Sequence, residues 1–314
     1  MREACQKIRN YMLNENDAAP LRRQVKRFAL FVLVLSACFG RPLYALVHYS
    51  LNNEFFSYIP LIPVISLYLI WLKKPQLPRQ AGTSWTGAVV AALGGFALLL
   101  GWNWVVHSGW KPRAEDYLTL MTSSFLFFLV AGCLAFFWGA ICRIIAFPIV
   151  FLVFMIPMPG AMLDWVTSFF QYTSAVTAVG FLTVARMPVF RDDLTLHLPN
   201  FSIVVAPECS GIHSTMVLLI TAVLAGHMFL RSGWKRVLLI VFVIPLAILR
   251  NGFRIFVISE LCVRVSHDMI NSPIHRKGGP IFFALSLIPF FGLLFLLRKS
   301  ELHDPKTVDI AVKV

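Results

Sequence analysis

Runs of about twenty mostly apolar residues, the length a helix needs to cross a bilayer, recur near 28–49, 56–72, 86–107, 117–138, 141–158, 212–230, 237–260 and 279–297. Hydrocarbon offers no partner to an unpaired backbone N–H or C=O, so repeated runs of this length cross as helices that close their own hydrogen bonds. The sequence therefore predicts an all-α polytopic membrane protein with about eight transmembrane helices. Its side chains are 58% hydrophobic and 14% charged, and a soluble fold of that make-up would expose too much apolar surface. The first 27 residues are polar and charged and lack the apolar core of a cleavable secretory signal, so the first span is expected to direct insertion. A ninth apolar-looking stretch, 162–185, carries Asp164, Gln171 and several Ser and Thr residues. It is expected to lie at the interface as an amphipathic helix, or to insert only partly. Pro148 and Pro245 fall inside spans, where they kink a helix or mark a tightly packed region.

Orientation follows from lysine and arginine in the short loops. Arg22, Arg23, Lys26 and Arg27 precede the first span, and Lys73, Lys74 and Arg79 follow the second. Arg143 sits at the fourth-to-fifth connection, Arg231, Lys235 and Arg236 separate spans six and seven, and Arg298 and Lys299 follow the last. With eight spans all of these fall on one side, which is then cytoplasmic. Lys111 and Arg113 fall on the other side, offset by Glu115 and Asp116. The expected layout is a cytoplasmic segment 1–27, one transmembrane domain 28–298 and a cytoplasmic tail 299–314, in a cell (inner) membrane. The net charge of +13 is then a topology signal, and no nucleic-acid partner is needed to explain it.

The longest external segment is 159–211. Within it Leu194, Leu196 and Leu198 alternate with Thr195 and His197, Pro199 and Asn200 supply a turn, and "FSIVVA" is rich in β-formers. A small external β-hairpin over Val189–Ala206 is expected. It could serve as a structural cover, or as a lid or edge strand that receives an extended peptide.

Six cysteines occur, and Cys5, Cys38, Cys133, Cys142 and Cys262 lie in apolar runs or in the N-terminal segment, where a thiol behaves as a small hydrophobe. Cys209, in "APECSGIHS", differs. It stands at the start of span six, where the positive end of a helix stabilises a thiolate. Gly211 permits a tight turn, while Glu208 would raise the thiol pKa. In "ILRNGFRIF", Arg250 and Arg254 are four apart and share a helix face with Asn251 close by. Two readings stay open there: snorkelling to headgroups, or holding an anionic group such as a carboxylate or oxyanion. Two histidines compete as a base. His213 is four residues after Cys209, and His275 precedes the last span. No Cys and His spacing resembles a zinc site, and no metal or organic cofactor is expected.

Taken together, "VVAPECSGIHS", then "NGFR", then "IHRKGG" before a final span resembles the exosortase/archaeosortase family. "IPMPG", the amphipathic stretch and "RMPVFRDDLTLHLP" follow that family's usual order. The resemblance implies a membrane cysteine peptidase or transpeptidase that acts on exported proteins. Their C-terminal sorting signal consists of a short motif, a transmembrane helix and a basic tail. It maps the catalytic cysteine onto Cys209, the Asn-x-x-Arg arginine onto Arg254 with Asn251, and the catalytic histidine onto His275. Ser210, Gly211, Glu208, Arg250 and His213 would support the site or bind substrate, and His213 departs from the family's pattern. The implied partners are exported substrates, membrane lipids and an amine or lipid acceptor. Two other classes remain: a transporter, which would place ionisable groups near the midplane, and a non-enzymatic scaffold of an export or polysaccharide system, in which Cys209 would be dispensable.

Overall fold

The computed structural model describes residues 23–78, 82–109, 112–199, 201–207, 210–264 and 279–302. Ten α-helices and one small sheet account for most of them. Among the described residues six helices are long and apolar enough to cross a membrane, and eight spans result when each of two bent helix pairs counts as one. The chain divides into two compact units after Gly160.

The first unit holds α1 (Arg23–Cys38), α2 (Gly40–Asn52), α3 (Leu61–Lys73), α4 (Trp85–His107), α5 (Ala114–Phe136) and α6 (Ala140–Phe151). The expected first span is broken: α1 and α2 meet at 73°. Pro42 lacks the N–H that would close a bond to Cys38, so a continuous helix fails there, while Pro is tolerated in the first turn of a new one. α4 and α5 lie close because Gly94 and Gly95 leave room for the rings of Phe127 and Phe128. The buried Ser124 hydroxyl donates to the Gly95 carbonyl at 2.9 Å. Ser66 on α3 likewise donates to the carbonyl of Pro148 in α6 at 2.6 Å. Most of α4 faces outward and apolar, with Leu93 61%, Leu100 68% and Trp104 74% exposed, as suits a lipid-facing helix. The expected fifth span is shorter than the sequence suggests. α6 tightens into a 3₁₀ turn over Leu152–Met155, and Pro157 and Pro159 prevent helix beyond it.

The second unit holds α7 (Gly160–Val184), a sheet of β1 (Phe190–Asp192), β2 (Thr195–Leu198) and β3 (Phe201–Val204), then α8 (Ile212–Phe229), α9 (Gly233–Arg264) and α10 (Gly279–Leu302). α9 runs continuously through Pro245. α8, α9 and α10 share a core that includes Leu218, Leu239, Val243, Phe290 and Leu294.

The sheet is an antiparallel meander of order β1-β2-β3, so the expected hairpin carries one further edge strand. Asp192 pairs with Thr195 across a two-residue turn, and Leu198 pairs with Phe201. The turn takes Asp193 into the left-handed region at φ 48°. The alternation holds: Leu196 and Leu198 are buried while His197 faces out, bonded to the Ser202 hydroxyl at 2.8 Å. The inward face of the sheet meets α7 and the far end of α9. Leu196 and Val205 cluster with Ala175, Ala178 and Ile255, and Leu198 and Ile203 cluster with Leu182 and Met187.

α7, the expected amphipathic helix, buries Phe170, Gln171, Ser174, Ala175, Ala178 and Leu182 along one face. Trp165, Phe169, Tyr172 and Val176 are exposed on the other. Two of its buried residues are polar, and both reach groups beside the cysteine box.

Candidate active site

Gly211 is the hinge of the arrangement. It adopts φ +72°, a conformation that costs a side-chain-bearing residue about 1–2 kcal/mol. A Cβ there would also stand 3.0 Å from the Asn251 Oδ1 and 3.2 Å from the Arg250 Nη2. This turn starts α8, and Gly211 as its N-cap makes no side-chain bond to the first-turn amides.

The Gly211 carbonyl is heavily used. It accepts from the Thr215 amide at 3.0 Å, the Thr215 hydroxyl at 2.8 Å, the Ser214 hydroxyl at 3.0 Å and Arg250 Nη2 at 3.2 Å. Arg250 Nη2 also lies 3.3 Å from the Thr215 hydroxyl. Arg250 is only 7% exposed, so its side chain is committed to the start of α8 and does not reach outward to headgroups. Its Nη1 is buried with no hydrogen-bond partner among the described residues, and so is the hydroxyl of Ser210. Buried donors left open in this way cost about 1–3 kcal/mol each and mark a place where another group can bind.

Asn251 completes the clasp from the same turn of α9. It is 2% exposed and donates through Nδ2 to the Ser174 hydroxyl on α7 at 3.0 Å. One turn earlier on α7, Gln171 donates to the Val205 carbonyl at 2.7 Å, fixing the chain as it leaves β3 for the cysteine box. α7 thus holds the Val205 carbonyl and the Asn251 side chain, and α9 holds the Gly211 carbonyl.

The two helices approach closely at Gly252, where a Cβ would meet Thr177 Cγ2 at 2.6 Å and the Ala178 amide nitrogen at 3.2 Å. Gly252→Ala would gain about 1 kcal/mol of helix propensity, against about 1–3 kcal/mol of overpacking. Since the close neighbour includes backbone, the clash is expected to win. Thermal unfolding of the detergent-purified variant should show a lowered midpoint, and a raised one would mean that this contact has no part in setting the helix spacing.

Arg254 lies one turn beyond Arg250 on α9 and is half-buried. His213 occupies the first turn of α8, also half-buried. Of the residues expected at the site, Ser210, Gly211, Arg250 and Asn251 are brought together. Glu208, Cys209 and His275 lie outside the described residues. Ser174, Thr215 and Gly252 were not singled out from the sequence, and Gln171 was noted only for the polar content of the 162–185 stretch.

No curated protein and no solved structure matches the chain significantly. A family model does: the transmembrane exosortase model matches residues 50–292, a range that takes in the cysteine box, the Asn-x-x-Arg motif and the histidine segment. With most of its length inside that match and two of its three motifs clasped together in the fold, the chain belongs to the transmembrane exosortase family.

Proposed function

We propose that this protein is a membrane-embedded cysteine transpeptidase or peptidase. It cleaves the C-terminal sorting signal of exported proteins at the outer face of the membrane. The observation that carries the reading is the clasp of Arg250 and Asn251 on Gly211, which joins the cysteine box to the Asn-x-x-Arg motif across about forty residues of chain.

In this mechanism the Cys209 thiol gives its proton to His275, and the thiolate adds to the scissile carbonyl. The carbonyl π electrons move to oxygen, and Arg254 holds the resulting oxyanion. The C–N bond then breaks, His275 returns the proton to the leaving amine, and the new C-terminus remains as a thioester on Cys209. An acceptor amine, or water, resolves the thioester and restores the thiol. Arg250 positions the box, and its open Nη1 and the Ser210 hydroxyl are donors for the carbonyls of an extended substrate segment. The test is co-expression with an exported protein from the same organism that ends in a short motif, an apolar helix and a basic tail. Its C-terminal helix should be removed only when this protein is present.

The loop charges also demand that both termini be cytoplasmic and the cysteine box lie outside. Reporter fusions after Val314 and at Asn200 should therefore report opposite compartments. A shared compartment would remove the eight-span layout and the outer site together.

A further inference from the structure

At the end of α8 farthest from the cysteine box, the turn into α9 and the last turn of α10 enclose a cleft of about 320 Å³. His227, Phe229, Arg231, Arg236, Arg298 and Glu301 are among its lining residues. The three arginines come from three different elements: the turn, the first turn of α9 and the end of α10. Two of them are engaged by the protein. Arg236 Nε and Nη2 donate to the Leu230 carbonyl at 2.9 and 2.7 Å, and the Arg298 guanidinium lies 5.7 Å from the centre of the Phe229 ring. Glu301 is the one carboxylate in the lining among the described residues and is 8% exposed. Its two oxygens accept the backbone N–H groups of Arg231 and Ser232, each at 2.9 Å, tying α10 to the turn. Three arginines, two of them with their guanidinium groups engaged by the protein, against one engaged carboxylate leave the cleft positive.

The rim is apolar. Met228 is 50%, Phe229 45% and Leu302 73% exposed, and all sit where membrane-crossing helices end. A ligand that fits both features carries a phosphate for the guanidinium groups and hydrocarbon for the rim. We infer that this cleft is a binding site for the headgroup of an anionic phospholipid. Loop basicity for membrane orientation needs only the number of cations. It does not need them gathered around one cavity with a buried carboxylate as the tie. The inference is independent of the cysteine chemistry.

The test uses the full-length protein in detergent, titrated with phosphatidylglycerol, phosphatidylcholine or inorganic phosphate. Bound lipid is read by native mass spectrometry, and the thermal midpoint is read alongside. Phosphatidylglycerol should be retained and should raise the midpoint, while phosphatidylcholine should do neither. Arg231→Gln with Arg298→Gln should weaken phosphatidylglycerol binding roughly thirty-fold, as expected for two lost charges near an anionic surface. Lys73→Gln with Lys74→Gln, which are not among the lining residues, should leave binding unchanged. Should the double arginine variant fail to fold, Arg298→Gln alone, at an exposed position, should weaken binding about five-fold and Arg298→Lys should restore most of it. Equal weakening in the two double variants would reduce the effect to bulk surface charge and overturn the site. Protection by inorganic phosphate equal to that by phosphatidylglycerol would make free phosphate the ligand and overturn the lipid assignment.

Discussion

Replacing Cys209 with serine is expected to abolish processing of the substrate's C-terminal helix, by about a thousand-fold or more, because removing a nucleophile costs nearly the whole catalytic apparatus. The hydroxyl is far weaker than a thiolate at neutral pH, and neither the helix end nor a single histidine base makes up the difference. The controls are the thiols that the fold uses as apolar filling. Cys133 and Cys262 are buried, Cys142 is partly buried and Cys38 is exposed on α1. Alanine at each should leave processing intact at matched protein level. Full processing in Cys209→Ser, with the substrate cut at the same bond, would remove the cysteine mechanism.

The second large effect separates the two arginines of α9. Arg254→Lys keeps a cation but loses the planar fork that can aim two donors at one oxyanion. A loss of about a hundred- to a thousand-fold in turnover is expected, with normal protein levels. Arg250→Gln acts differently, because Arg250 supports the Gly211 carbonyl from a buried position. It should lower both activity and thermal stability, by about 1.5–3 kcal/mol for a lost charge-assisted bond. The thermal midpoint is the readout that tells the two apart. The histidines divide in the same assay. His275→Ala should be inactive, with nothing to move the proton of the thiol, and His213→Ala should be tolerated. An active His275→Ala beside a dead His213→Ala would make Cys209 and His213 the catalytic pair.

The spans were legible because long apolar runs admit one solution in hydrocarbon. Their interruptions were less so. Pro42 stands at the break between α1 and α2, but one proline in an apolar run reads equally as a mild kink. The inward and outward alternation of Leu196, His197 and Leu198 was clear, whereas β1, only three residues and two of them charged, carried no strand signature. The Asn-x-x-Arg and cysteine motifs were readable as motifs. The contribution of α7 was not, because Gln171 and Ser174 look like ordinary interface polarity until their partners, Val205 and Asn251, are known. The role of Arg250 was undetermined for a similar reason. A long cationic side chain near a helix end can turn outward or inward, and only its neighbours decide.

The central claim is that a thioester forms on Cys209. The direct measurement is mass spectrometry of the protein purified after co-expression with its substrate, with and without hydroxylamine. A peptide carrying the substrate's new C-terminus, joined to Cys209 and released by hydroxylamine, is the predicted result. Processed substrate with no adduct on Cys209, together with undiminished processing when all six cysteines are replaced, would contradict it.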